Sequence, residues 1–374
     1  MVVDFLSLAP DQQDVLASLP FDGHHLVTGP PGSGKSVLAV QRAVMLALTG
    51  EPVTLLTRSN LLRQSLEPLA AALGPEEGLE VSTVHGWMHS WYRARTGCPA
   101  PRTEDDGWFD WAAVFQVAAS EFRRPGPQLV VDEGQDLPLD FYRLCRLIGA
   151  RTTVFADECQ RITDTQSTLA EIGSLLTGPN RHDLTATHRI TRPVAVLAAR
   201  FHVGGARPAL PDRKGPTPSL RRYGSVQQVA AHVAEYSGTR PGERVGVVFR
   251  HTRHQMDLTE RLERLMARSR LQTYVGEGTG RYRTVDLARP GVTVLNRKSA
   301  KGLEFDTVFV PDTHLDAGDD PTGAGLRMLY YVLVTRARTR LFLGYTGAKE
   351  PPLLAQVPAT DLVRDELTEV RAAR

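Results

Sequence analysis

The stretch "HLVTGPPGSGKSVLAV", His25 to Val40, decides how the rest of the chain is read. A short apolar run enters a glycine-rich turn and leaves it as apolar sequence with helical spacing. Within it, Gly29 to Ser36 fits the pattern G-x-x-x-x-G-K-[ST], with a strand expected before it and a helix after it. Glycines let backbone N–H groups close on phosphate oxygens, and the start of a helix adds positive potential. Gly29, Pro30, Pro31, Gly32, Ser33, Gly34, Lys35 and Ser36 are therefore the expected cradle for ATP. Lys35 would reach the β- and γ-phosphates, and Ser36 would hold Mg²⁺.

Working outward, "LVVDEGQD", Leu129 to Asp136, is an apolar run that ends in two adjacent carboxylates. In a phosphate-loop protein, an acid ending the parallel strand next to the loop completes the Mg²⁺ site. That role falls to Asp132. Glu133 is then placed to orient or deprotonate the attacking water. A protein that only binds nucleotide has no use for the second acid, so hydrolysis is expected. Gln135 and Asp136 are not explained by that chemistry. "TVFAD", Thr153 to Asp157, is another strand with polar residues at its end, and Gln160 follows. Gln160 reads equally as a γ-phosphate sensor or as a simple loop glutamine.

Apolar runs and helical patterns alternate along the whole chain. "VTLLT", "LEVSTV", "LVVDE" and "TTVFAD" read as buried strands with helical crossovers between them, which means a parallel sheet covered on both faces. The pattern resumes after residue 190 with "RVGVVF", "VTVLN", "TVFVP" and "RLFLGY". The expected organisation is one α/β domain over 1–186 and a second over 187–348, followed by a mixed-charge tail over 349–374. Residues 86–125 interrupt the first domain and hold all four tryptophans, Trp87, Trp91, Trp108 and Trp111. They are read as packing a small helical insertion, with a base-stacking role as the other option.

The 374 residues, 41% hydrophobic and 23% charged, fit a globular protein of two domains. Three scattered cysteines, Cys98, Cys145 and Cys159, form no CxxC pair, so neither a zinc site nor a disulfide framework is indicated. No apolar run approaches the roughly 18 residues needed to span a membrane. "MVVDFLSLAP" lacks the basic start of a signal peptide, so the cytoplasm is the expected compartment. The net charge of +2 is unevenly spread: Arg181 to Arg222 holds nine basic residues against two acids, and Arg244 to Lys301 thirteen against five. A polyanion-binding surface and a set of solvated arginine-rich helices both account for this. Only five of the 44 basic residues are lysine, and Lys35, Lys298 and Lys301 fall inside motifs.

In order, the motifs resemble those of superfamily 1 DNA helicases of the UvrD/PcrA/Rep kind. "LAPDQ" resembles the adenine-reading glutamine motif, "STVHG" the threonine-aromatic-histidine motif, "VDEGQD" the DExxQD box and "ADECQRI" the glutamine sensor motif. "ATHRI", "VTVLNRKSAKGLEF" and "YYVLVTRAR" resemble the three motifs that follow. The resemblance implies two RecA-like domains with ATP in the cleft between them. It puts Gln12 on the adenine edge and makes Arg189 and Arg336 arginine fingers. It has Glu304 bond the ribose and Gly302 let the backbone come close. It gives Gln135 and Gln160 the task of linking hydrolysis to the second domain and the bound strand. Thr83, His85 and Lys298 become strand contacts. His188, where the family has an adenine-stacking tyrosine, could stack in its stead or be a buried core histidine.

Two departures qualify the resemblance. Thr165 stands where the family stacks an aromatic on a base, an aromatic after "VTLLT" is missing, and Lys298 replaces a strand-contacting histidine. The large inserted subdomains are also absent. The expected function is a nucleic-acid-stimulated ATPase, a single-strand translocase or minimal helicase using ATP and Mg²⁺. Its partner is single-stranded nucleic acid, DNA before RNA, with no membrane. The competing class is an ATP-gated switch that controls a partner such as a nuclease.

Overall fold

The computed structural model describes residues 5–75, 77–103, 108–120, 126–157, 167–176, 180–204, 207–276 and 282–365. The chain divides into two compact units between Ala186 and Thr187.

The first unit runs α1 (Pro10–Ser18), β1 (His25–Thr28), α2 (Lys35–Ala47), β2 (Val53–Thr57), α3 (Asn60–Leu73), β3 (Leu79–Thr83), α4 (Val84–Thr96), α5 (Trp111–Ser120), β4 (Gln128–Val131), α6 (Leu139–Leu147), β5 (Arg151–Ala156), α7 (Leu169–Leu175) and β6 (Asn180–Asp183). Its strands pair in the order β3-β2-β4-β5-β1-β6, all parallel. Successive residues of each strand point to opposite faces, and both faces are covered. Leu26, Leu56, Val131 and Val154 join one core, whereas Val27, Leu55, Val130 and Phe155 join the other. That is why these strands read as unbroken apolar runs. Helix starts are fixed by side chains: Ser59 accepts from Leu62 N–H at 2.9 Å and Thr83 from Gly86 N–H at 3.0 Å.

Within the Trp-rich segment the described helices are α4 and α5, and α4 begins at Val84, inside the run read as a strand. Trp87, Trp91 and Trp108 are buried in the core beneath β4 and β5, and Trp111 packs against it. The packing reading of these residues holds, and three of the four have no face open for a nucleic-acid base.

The second unit runs α8 (Arg192–Phe201), β7 (Ser219–Arg222), α9 (Val226–Thr239), β8 (Arg244–Phe249), α10 (Thr252–Leu265), β9 (Leu271–Thr273), β10 (Gly291–Asn296), α11 (Arg297–Ala300), β11 (Phe305–Val310), α12 (Ala324–Val334), β12 (Ala337–Tyr345), α13 (Pro352–Ala355) and β13 (Val363–Asp365). The strands pair in the order β13-β7-β12-β11-β8-β10-β9, again all parallel. The stretch set apart as a tail therefore supplies an edge strand: β13 pairs with β7, and Arg200 on α8 pairs with Asp361 at 2.7 Å. Among the described residues, no helix is long and apolar enough to cross a membrane.

Candidate active site

Parallel strands gather their C-terminal ends at one sheet edge. In the first unit that edge carries Thr28, Arg58, Thr83, Asp132 and Asp157. The turn after β1 is the phosphate loop. Gly32 and Gly34 have φ of 77° and 90°, values that favour glycine. A Cβ on Gly29 would lie 2.8 Å from Leu184 Cβ. The Lys35 side chain is buried and donates to the Gly29 and Pro30 carbonyls at 2.6 and 3.0 Å. Gln12 braces the loop from α1, with Nε2 donating to Ser33 O at 2.6 Å and Oε1 accepting from Ala9 N–H at 3.0 Å.

The two acids follow β4. Asp132 is 1% exposed, and neither of its oxygens accepts a hydrogen bond of normal geometry. Burial pushes its carboxyl up to about 7, and the neighbouring Glu133 charge adds to this. The nearby Ser36 hydroxyl and Lys35 ammonium work the other way without cancelling it. Glu133 is buried and has φ of 56°, the one left-handed non-glycine among the described residues. Such a backbone costs about 1 kcal/mol, and strain of this kind concentrates at functional sites. The next residue must be glycine, because a Cβ at Gly134 would overlap Val154 Cγ1 and sit 2.7 Å from the Tyr142 hydroxyl.

One expectation is corrected here. The strand carrying Asp132 is not next to the loop, because β5 lies between β1 and β4. The acid that follows β5, the strand between them, is Asp157, 3.4 Å from Lys35 Nζ. Strand order depends on crossovers that sequence spacing does not encode, so this residue was missed as a site member. Gln160 and Thr165 lie outside the described residues.

A buried carboxylate with neither oxygen in a hydrogen bond of normal geometry, beside a serine hydroxyl at a phosphate loop, suits a hard cation that keeps several waters. Ser36 and Asp132 are the residues that fit Mg²⁺. Among the described residues no group of three or more His, Cys, Asp or Glu could hold a metal, and a Mg²⁺ shared with phosphates needs none.

Farther along the same edge, the Thr83 hydroxyl is occupied in capping α4. The His85 ring stacks on Trp108 with centroids 4.6 Å apart. The Arg58 guanidinium lies 5.6 Å from the Trp108 ring and donates to Asp136 O at 3.4 Å.

In the second unit the motif residues divide between the two sheet edges. Arg189 donates to Glu304 Oε2 at 3.0 Å. Burial alone would raise the Glu304 carboxyl, but Arg189, Arg336 and Arg338 more than offset it and hold it below the usual range. Arg336 is buried and bonds to Val332 O at 2.9 Å, Leu303 O at 3.2 Å and Thr335 Oγ1 at 3.1 Å. As placed, it closes the end of α12. Gly302 has φ of 76°. His188 is exposed, which overturns the buried-core option for it.

At the other edge, β10 ends in α11, whose start is capped by Asn296 accepting from Ser299 N–H at 2.9 Å. Lys298 is exposed there. Its neighbour Arg297 is buried against Asp312 at 2.9 Å and Asp316 at 2.8 Å. Burial works against the Arg297 charge, but the two aspartates push its pKa above the usual range. Residues 297–304 thus carry the chain from the C-terminal end of β10 to the start of β11.

Residues 291–343, from β10 through most of β12, match the family model for the UvrD-like helicase C-terminal domain. That segment is similar to the C-terminal domain of UvrD-like helicases. It contains Lys298, Gly302, Glu304 and Arg336. No match was found among curated protein sequences. Among solved structures, the C-terminal domain of a possible DNA helicase from Lactobacillus plantarum WCFS1 is 22% identical. The match covers 48% of this chain and 98% of that one, with a TM-score of 0.36. Arterivirus nonstructural protein 10, a helicase, is 13% identical over 89% of this chain, with a TM-score of 0.41. The PRRSV helicase is 12% identical over 89% of this chain, with a TM-score of 0.42. The chain spans 61% and 54% of the lengths of the two viral proteins.

Proposed function

We propose that this protein is a nucleic-acid-stimulated ATPase, a UvrD-like single-strand translocase or minimal helicase with RecA-like units. The observation that carries the reading is the buried Asp132–Glu133 pair, ending a strand at the edge that holds Lys35 and Ser36. Backbone N–H groups of the loop and the start of α2 would bind the phosphates. Lys35 would exchange its loop carbonyls for phosphate oxygens. Ser36 and Asp132 would hold Mg²⁺, which would neutralise charge on the phosphates. Glu133 would accept the proton of the attacking water. Gln12 would meet the adenine edge from α1, and Arg189 would stabilise charge on the transferring phosphate. Lys298, exposed and basic, is the proposed strand contact, with Thr83 and His85 as further candidates on the first unit.

The deciding experiment measures ATP turnover with no nucleic acid, with single-stranded DNA and with single-stranded RNA. Stimulation by DNA supports the proposal, and stimulation by RNA alone moves the substrate to RNA. Turnover indifferent to both supports the second reading, an ATP-gated switch acting on a partner such as a nuclease. The three hydrogen bonds that tie Arg336 into its own unit favour that second reading.

A further inference from the structure

The glutamine after the two acids is the most enclosed polar side chain of the candidate site, with no exposed surface. Its amide has one satisfiable orientation. Asp157 N–H can only donate, and it lies 3.0 Å from Gln135 Oε1. The Glu133 carboxylate can only accept when ionised, and it takes a hydrogen bond from Gln135 Nε2. The side chain therefore spans the ends of β4 and β5. Beyond Asp157 the connection continues, because its carboxylate pairs with Lys35 Nζ at 3.4 Å. The candidate base and the phosphate-binding lysine are held in one chain of polar contacts, Glu133 to Gln135 to Asp157 to Lys35.

We propose that Gln135 is a positioning residue that fixes the Glu133 carboxylate relative to Lys35, leaving Glu133 Oε1 as the atom that takes the proton from water. This rests on the reading of Glu133 as general base. The Glu133 backbone is left-handed, so the residue occupies a conformation its neighbours must enforce. Gln135 holds the far end of the same side chain. With Oε2 held by the amide, the carboxylate is fixed in orientation, and Oε1 is the oxygen proposed to face the attacking water. General bases act over hydrogen-bond distances, so losing this restraint should slow the chemical step and leave nucleotide binding alone.

The test uses the full chain and measures kcat and KM for ATP, with single-stranded DNA present, together with affinity for a fluorescent ATP analogue. Gln135→Met keeps length and removes both hydrogen bonds. It should lower kcat by about tenfold to a hundredfold, as a misplaced group does, while KM and analogue affinity change by less than about twofold. Gln135→Ala removes the amide altogether and should lower kcat similarly. It serves as the measurement if the methionine variant does not fold.

Both substitutions are then made in a Glu133→Gln background. There the residual rate should be nearly insensitive to residue 135, because the side chain it positions no longer acts as a base. Three results overturn the proposal: unchanged kcat in folded protein, loss of nucleotide affinity matching loss of rate, or the same fold-loss in the Glu133→Gln background. If Glu133→Gln alone retains full turnover, the general-base reading itself fails. That outcome is distinct from an intact Glu133 dependence with no effect at Gln135.

Discussion

The two units use buried charge in opposite ways. At the C-terminal sheet edge of the first, Asp132 is buried with neither oxygen accepting a hydrogen bond of normal geometry, while Lys35 rests on loop carbonyls and pairs with Asp157 at 3.4 Å. At the same edge of the second, Arg297 is equally buried but closed on Asp312 and Asp316, which also receive Arg250 and the Tyr330 hydroxyl. Around Asp132 hydrogen-bonding capacity stays open, whereas the cluster around Arg297 spends nearly all of its own internally. An open set can take a ligand, whereas a closed set holds loops in place. Being charged, buried and near a motif is thus not enough to mark a functional residue, and a carboxylate with neither oxygen satisfied is a stronger sign.

This contrast can be broken most forcefully by Glu133→Gln. Turnover should fall by about 10²–10⁴-fold, the usual worth of a general base, with ATP affinity near normal. Equal loss of binding and rate would make Glu133 structural. Next in size, Arg297→Ala leaves two buried aspartates facing each other's charge. It should cost about 3–5 kcal/mol, read as a lower urea midpoint for unfolding of the second unit. A change within 1 kcal/mol or so would show that water or Arg250 replaces the lost partner.

A third test uses pH. Burial, aided by the Arg221 charge, lowers His232 to about 4, although Asp365 pulls the other way. Tyr223, Phe309 and Phe342 pack around the ring. The unfolded chain binds the proton near 6.5 and the folded one only near 4. Stability is therefore complete above about pH 6.5 and is lost as pH falls toward 4, by at most about 3 kcal/mol. His232→Phe should flatten that part of the profile. If it does not, the acid sensitivity lies elsewhere.

The sign of the comparison is sharpened by Asp132→Asn. Removing a carboxylate whose charge is disfavoured by burial and by Glu133 should stabilise the ligand-free protein by about 1–3 kcal/mol while abolishing turnover, the reverse of what Arg297→Ala does to stability. Destabilisation would mean that Asp132 is a structural acid. The smallest effect is at Lys298→Ala. The log–log salt slope of single-strand binding should become shallower by about 0.7, one phosphate contact, with equal affinity for poly-dT and an abasic strand. Much weaker binding of the abasic strand would place base stacking back in the interface.

The sequence was legible where side-chain pattern alone decides structure. β2, α3 and α8 match the runs "VTLLT", "NLLRQSLEPLAAAL" and "RPVAVLAARF", because each is an apolar face with clear stops. It was illegible where a neighbour decides. β6, β7, β9 and β13 read "NRHD", "SLRR", "LQT" and "VRD", polar segments that are strands only because an adjacent strand offers its N–H and C=O groups. The site follows the same rule. The phosphate loop is local and could be read directly. The use of Gln135 could not, since it depends on β5 lying beside β4. The burial of Arg336 likewise depends on the Leu303 carbonyl, far away in sequence.

The short path from Lys298 to Glu304 has a mechanical consequence. Returning along a strand the length of β10, 6 residues, takes about 20 Å. The single turn of α11, 4 residues, advances only about 6 Å. Residues 301–304, even fully drawn out, add about 14 Å. Leu303 N–H folds back on the Ala300 carbonyl at 3.2 Å, so the connector is turned rather than drawn out. A displacement of the turn that bears Lys298 therefore has only a few residues of chain in which to dissipate before it reaches Glu304 and its ion pair with Arg189.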